Sequence, residues 1–399
     1  MSEPLASRHA SGGLVADCGG VIEEIAMAVV PACFSGSPLH QILLAAQGFF
    51  AGTLPQGIRL HVLASPESRQ AVTGWLASLP LACETRIVDA PLSQAWDSSE
   101  FWIQDPLLVR RDGATTVFLK VDCENPGDHA AWIGRGLGSA VERCACHIAG
   151  GNLLVGPDFR IAGQDSLDFT QNLIDREGVG ASQPADDAFA RLSDMDPRPL
   201  FVAGYSFGAE APSPPVAGRW DDPYRQRQYG GHIDRFIAVT GLVSPDRKPV
   251  IVVAEAMLGP GGRSEEFGLV AMALDGTAER LSGQGFHVVR NPVPFAPVLG
   301  PLQLRPRLYN NVLVENEVRI GRTRPLVWVP QFADAEPGLA EFDDANMAVW
   351  RGLGFEPVGA FGWSGLAAQM GALRCAAKVL RRAATTPARA RAAISGGSG

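Results

Sequence analysis

Two aspartates, a histidine and a cysteine stand beside turn-forming residues in separate stretches of this 399-residue chain. The first stretch is FWIQDP, residues 101–106, where Asp105 follows an apolar Phe-Trp-Ile group and precedes a proline. An aspartate before proline is also an ordinary turn former, and for this motif alone that reading stays open. The second is GGHIDRF, residues 230–236. His232 and Asp234 lie two apart, so on an extended segment their side chains share a face. Gly230 and Gly231 let the backbone approach another group closely. The third, MGALRCAAKVLRR at 370–382, puts Cys375 at the end of a short apolar strand, after Arg374, whose charge could favour a thiolate. A buried structural cysteine is the competing reading. In the fourth, AGGNLLVG at 149–156, two glycines lead Asn152 into a strand.

Taken jointly, these groups suit one chemistry. A guanidinium is planar, cationic and fork-shaped, and carboxylates match it through paired, charge-assisted hydrogen bonds. Asp105 and Asp234 would clamp its nitrogens, and Cys375 would attack the central carbon as thiolate. His232 would protonate the departing ammonia and then activate water against the covalent thiouronium. No metal or organic cofactor is required.

Four segments share one order of elements around these motifs. GIRLHVLA, SRQAVTGWLASL and TRIVDAP read as strand, helix and strand. The order returns in TTVFLKVD, HAAWIGRGLGSAVERC and a strand around Ile148, and in PVIVVAEAML, SEEFGLVAMALDGTAERLSG and GFHVVRNP. It closes in PLVWVPQF, LAEFDDANMAVWRGLG and GFEPVGAFG. Buried runs such as 250–253 suit strands covered on both faces, and the helical windows carry apolar residues every three or four positions. The periodicity predicts one α/β architecture of repeated strand-helix-strand units. Residues 176–230, rich in Pro, Gly and Asp, read as an excursion with one strand near Phe201. We expect a loose segment over 1–20, a single domain over 21–383 and a flexible tail over 384–399. The basic run from Ala376, with Lys378, Arg381, Arg382, Arg389 and Arg391, reads as a solvated end, with an anionic partner as the alternative.

The motif order resembles the guanidino-group-modifying enzymes of the pentein superfamily. It is carried by W-x-Q-D at 102–105, G-N-L around Asn152, H-I-D at 232–234 and G-x-x-R-C at 371–375. Within that group the chain is most similar to the catalytic domain of protein-arginine deiminases, because agmatine deiminases read R-D-x-G-P at the first motif. Pro106 and YNNVLVENE, residues 309–317, lean toward the agmatine group. The resemblance implies a five-bladed, pseudo-symmetric α/β propeller with its site on the central axis, and one blade drawn from the middle of the chain or from both termini. It implies catalytic roles for Asp105, His232, Asp234 and Cys375, and substrate contacts by Asp105, Asp234, Trp102, Asn152 and Arg374. Arg374 stands where the family has histidine. Animal-type relatives need calcium; Pro106 replaces an acid of theirs, so calcium dependence is not expected.

Composition sets the outer bounds. Hydrophobic residues make up 46% and charged residues 19%, as in a folded protein, and the net charge of -8 argues against a nucleic-acid partner. Seven cysteines without a C-x-x-C pair fit free thiols in a reducing compartment. No signal peptide or spanning run is evident, so a cytoplasmic protein without a membrane partner is expected. The expected reaction converts arginine within a peptide or protein to citrulline and ammonia. Alternatives are deimination of agmatine or another small guanidine, amidino transfer with the same residues, and a binding protein on the same fold that would lack the catalytic set. A homodimer stays open.

Overall fold

The computed structural model describes residues 12–95, 99–123, 127–176, 184–204, 228–229, 231–262, 267–297 and 304–383. Its strands form five separate sheets of three or four strands, and each sheet contains the same core. A first strand runs antiparallel to a second; one or two helices follow the second; a third strand then pairs parallel to it. In the first sheet these are Leu107–Asp112, Thr115–Asp122, the helix His129–Leu137 and Ala140–His147. The second has Leu153–Val155, Arg160–Gly163, helices Gln164–Arg176 and Pro184–Asp194, and Leu200–Ala203. The third has Ile237–Val243, Pro249–Leu258, Phe267–Gly283 and His287–Pro297, with Leu304–Pro306 added at its edge. The fourth has Leu313–Val314, Leu326–Pro330, Ala340–Gly352 and Glu356–Ala360.

The fifth sheet joins the two ends of the chain. Its first strand is Ala377–Arg382, antiparallel to Ile22–Ala28, which is followed by helix Pro38–Thr53 and the parallel strand Arg59–Ala64. Helix Arg69–Ala77 and strand Glu84–Asp89 extend it. Both possibilities considered for the missing unit are therefore used: the middle of the chain makes the second sheet, and the termini together make the fifth. The central strands are buried on both faces, as at 250–253, where the helix Phe267–Gly283 packs against the strand. One apolar core runs through all five sheets, including Ile25, Phe118, Ile161, Val252 and Trp328.

Four expectations are corrected here. The helix read through 129–144 stops at Leu137, where Gly138 turns left-handed at φ +67°, and 140–147 continues as a strand. Residues 12–20, expected to be loose, are tied down. Gly13–Leu14 pairs with the first sheet, and Asp17 exchanges hydrogen bonds with Val155 through its backbone N–H (2.7 Å) and its Oδ2 (2.8 Å). The first part of the basic run, Ala377–Arg382, is a strand and not a solvated end, while Arg389 and Arg391 lie outside the described residues. Lys378 is buried, Arg381 pairs with Glu23 and Glu24, and Arg382 donates to the carbonyls of Asp17, Gly20 and Val314. Finally, the segment from 176 carries a helix besides the strand at Phe201. Its stretch 205–227 and residues 384–399 lie outside the described residues.

Candidate active site

Each sheet's first strand is preceded by a tight turn, and the chemical groups sit on those turns. Asp105 stands two residues before Leu107, Gly151 two before Leu153, Asp234 three before Ile237, Asn311 two before Leu313 and Cys375 two before Ala377. Hydrogen bonds link the five turns in a closed ring. Gln104 N–H donates to the Cys375 carbonyl (3.2 Å), and Gly150 N–H to the Asp105 carbonyl (2.9 Å). Ile233 N–H donates to Asn152 Oδ1 (3.3 Å), and Asn311 Nδ2 to the Asp234 carbonyl (3.4 Å). Arg374 N–H closes the ring on the Asn311 carbonyl (3.3 Å). Turns carry the site because only there does the chain change direction and aim side chains along the strand ends.

The polar atoms converge on Gly151. A Cβ added there would come 2.8 Å from Asp105 Oδ1, 2.8 Å from His232 Nδ1 and 3.2 Å from Asp234 Oδ1. The missing side chain thus lets two carboxylates and an imidazole close in on the backbone at this one point. Asp105 Oδ1 accepts from Gly151 N–H at 3.1 Å and lies 3.3 Å from His232 Nδ1. Asp234 is fully buried; its Oδ2 accepts from Arg374 Nη1 at 2.6 Å, whereas its Oδ1 has no hydrogen-bond partner among the described residues. Cys375 is 2% exposed, with Sγ 3.7 Å from Asp234 Oδ2 and accepting from Asn311 Nδ2 at 3.2 Å. Asn311 Oδ1 in turn takes the Cys375 N–H at 3.1 Å, so one amide holds both backbone and thiol.

Burial dominates the electrostatics. It raises Asp105 above the usual carboxylate range, against the pull of nearby Arg235 and the Gly151 N–H. Burial also pushes the Cys375 thiol well up, and Asp234 and Asp105 push the same way, while Arg235 opposes them. Both effects favour the protonated thiol. A cation placed between the carboxylates would favour the thiolate.

Several sequence expectations need correction at this point. Cys375 stands two residues before a strand and does not end one. His232 and Asp234 converge through the 3-10 turn Ile233–Arg235, not an extended segment. Arg374 does not line the site as a free cation: it is buried between Asp17 (Nη2–Oδ1 2.7 Å) and Asp234 and also donates to the Leu153 carbonyl at 3.2 Å. Burial would lower its basicity, but the two carboxylates outweigh that and keep it charged. Asn152, expected to touch substrate, is spent on structure. Its Oδ1 also accepts from Gln228 Nε2 (2.7 Å), and its Nδ2 donates to Ser166 Oγ (2.8 Å). Trp102 packs over Gly371, where a Cβ would lie 2.3 Å from the indole Cη2, so it walls the turn before Cys375. Met370 in that turn has φ +60°, a strained value for a non-glycine residue. Tyr229 packs on Phe236 and Phe295 at ring distances of 5.1 and 6.1 Å, while Tyr205, Trp220 and Tyr224 lie outside the described residues.

Sequence reasoning missed Asp17, Gly151, Arg235, Asn311 and Lys378. Asn311 lies in the stretch 309–317 already singled out, but nothing local ties it to a cysteine. Asp17 reaches Arg374 only because the chain's two ends share a sheet. Among the described residues no three His, Cys, Asp or Glu side chains are grouped to hold a metal ion. No helix among them is long and apolar enough to cross a membrane.

No family model and no curated protein matches the sequence. Solved structures do resemble it. An agmatine deiminase of C. jejuni superposes with a TM-score of 0.61 at 12% identity, covering 96% of this chain and 100% of that one. The agmatine deiminase of Enterococcus faecalis gives 0.61 at 13%, over 93% and 96%. A "putative peptidyl-arginine deiminase" gives 0.58 at 15%, over 93% and 99%. The chain has the α/β fold of these deiminases, the pentein fold.

Proposed function

We propose that this protein is a guanidine deiminase. The observation that carries this reading is the meeting of Asp105 Oδ1, His232 Nδ1 and Asp234 Oδ1 at Gly151, with Cys375 Sγ beside Asp234. The five sheets are then the blades of a propeller, supported by the closed ring of bonds between their turns, and 21–383 is one catalytic domain. A guanidinium held by N–H bonds to the two carboxylates favours the thiolate, and the thiol's proton passes to His232. The S–C bond forms at the central carbon, and His232 passes a proton to one amino group. The C–N bond then breaks and ammonia leaves, with the thiouronium bound to Cys375. Water, losing a proton to His232, attacks that carbon; the C–S bond breaks, the thiolate is restored and a ureido product departs.

Arginine within a peptide is the substrate suggested by the W-x-Q-D motif. A small guanidine is favoured by the likeness to two agmatine deiminases and by Asn311, from the agmatine-like stretch, at the thiol. Ammonia and ureido-product assays on free arginine, agmatine and an arginine peptide test the reading and rank the substrates. Turnover of none of them overturns it.

A further inference from the structure

Asn311 makes more bonds at the nucleophile than its turn requires. It stands two residues before the short strand Leu313–Val314 of the fourth sheet and is fully buried. Its own N–H is held by the Leu308 carbonyl at 3.1 Å. Its carbonyl accepts Arg374 N–H at 3.3 Å, and its Oδ1 accepts the next N–H along, that of Cys375, at 3.1 Å. A backbone N–H only donates, so the atom facing Cys375 N–H is the oxygen, and the amide has one orientation. Its Nδ2 is thereby aimed at two acceptors, the Asp234 carbonyl (3.4 Å) and Cys375 Sγ (3.2 Å). The two accepted bonds already hold the turn before Cys375. The bond to sulfur is left over, since a neutral thiol is a weak acceptor.

That bond gains strength once the sulfur is charged. The protonated Cys375 Sγ donates to Asp234 Oδ2 at 3.7 Å, an oxygen that also accepts from Arg374 Nη1 at 2.6 Å. Loss of the proton removes the first of these and sets thiolate against carboxylate, whereas the Asn311 N–H stays on the sulfur and becomes charge-assisted. We propose that Asn311 is a catalytic residue of this site, whose side-chain amide orients the Cys375 sulfur and stabilises it as thiolate. The proposal rests on the guanidine reading above and gives the amide two moments of action. As the thiol's proton passes to His232, the N–H holds the charged sulfur, and it slackens when the sulfur's electron pair enters the S–C bond. After water has attacked and the C–S bond breaks, the pair returns to the sulfur and the same N–H receives it. The charged groups that face the thiol do not replace this donor: Asp234 and Asp105 push its titration up, and Arg235 opposes them.

Two full-length variants test the role. Asn311→Asp keeps an oxygen for the Cys375 N–H and has no N–H for the sulfur. Asn311→Leu is of similar size, lacks both and brings no buried charge, so it reads the same donor should the aspartate variant fail to fold. Ammonia release from agmatine and N-acetyl-arginine amide is followed from about pH 6 to about pH 10, beside thermal melts. Both variants should lose about tenfold or more in kcat, the worth of a charge-assisted hydrogen bond, with KM within about threefold of wild type. The donor favours the charged form, so without it the thiol titrates higher, thiolate is lost below that point, and the acid limb of kcat moves to higher pH. A role confined to holding the turn predicts instead losses that follow Tm, worse in the leucine variant, on an unmoved limb. A folded variant with wild-type kcat, or with lowered kcat on an unmoved acid limb, overturns the role of Asn311 and leaves the guanidine reading standing. Wild-type protein that turns over neither probe overturns the two together.

Discussion

At the residue scale, Gly151 gives a sharp test, because the carboxylates and imidazole of the proposed site meet at it. Gly151→Ala puts a methyl 2.8 Å from both Asp105 Oδ1 and His232 Nδ1. A displacement of this size should lower kcat/KM about 100-fold with little change in Tm, since misplacing reacting groups by about 1 Å costs that much. Wild-type kinetics in that variant would place the site elsewhere. The two carboxylates should behave differently. Asp105→Asn removes a clamp charge and should cost at least about 100-fold in kcat/KM, or about 2.7 kcal/mol. Asp234→Asn should cost a similar factor and also about 3 kcal/mol of stability, because Arg374 loses a buried partner. Thermal melts beside kinetics separate the two; equal Tm values for both variants would deny Asp234 its double duty. Asp105, His232, Asp234 and Cys375 could be singled out in the sequence because the four types together fit one substrate group, not because any one of them is unusual beside a turn. Arg374 misled: its charge is visible in the sequence, but the carboxylates that consume it are distant along the chain.

At the element scale, the turns before the five first strands matter more than the strands themselves. Leu313–Val314 is too short to leave a period-2 pattern, so sequence reading found the longer strands after it and missed it, whereas Leu153–Val155 was read as a strand only from the glycines before Asn152. The His-x-Asp pair shows the same limit. Spacing by two fits a strand, but Ile233–Arg235 winds as a 3-10 turn whose Ile233 N–H is fixed by Asn152. Asp17 anchors this architecture by bonding Val155, Arg374 and Arg382 at once. Asp17→Asn should therefore lower stability by about 3 kcal/mol and let Arg374 swing on Asp234. The expected kinetic result is a kcat loss larger than any change in KM, since the thiol shares Asp234 Oδ2 with Arg374. Unchanged Tm and kcat would show the N-terminal anchor to be dispensable.

At the scale of the whole molecule, closure of the fifth sheet by both termini explains how Arg374, next to Cys375 near one end, is held by Asp17 near the other. Sequence periodicity revealed four of the five units. It could not show which strands pair across the chain, because the Ala377–Arg382 strand is rich in basic residues and looked like a solvated tail. Removing residues 1–20, a harmless change had that segment been loose, should abolish turnover and lower Tm by at least several degrees, as loss of about 3 kcal/mol would. Full activity of that truncation would contradict the closure argument. The central claim, covalent deimination through Cys375, is tested most directly by mass spectrometry of the intact protein quenched during turnover of agmatine or an arginine peptide, with chelator in excess. The account predicts ammonia release, a ureido product and a transient adduct on the wild-type chain, with all three lost in Cys375→Ala at unchanged Tm. Ammonia released by Cys375→Ala at the wild-type rate would contradict it.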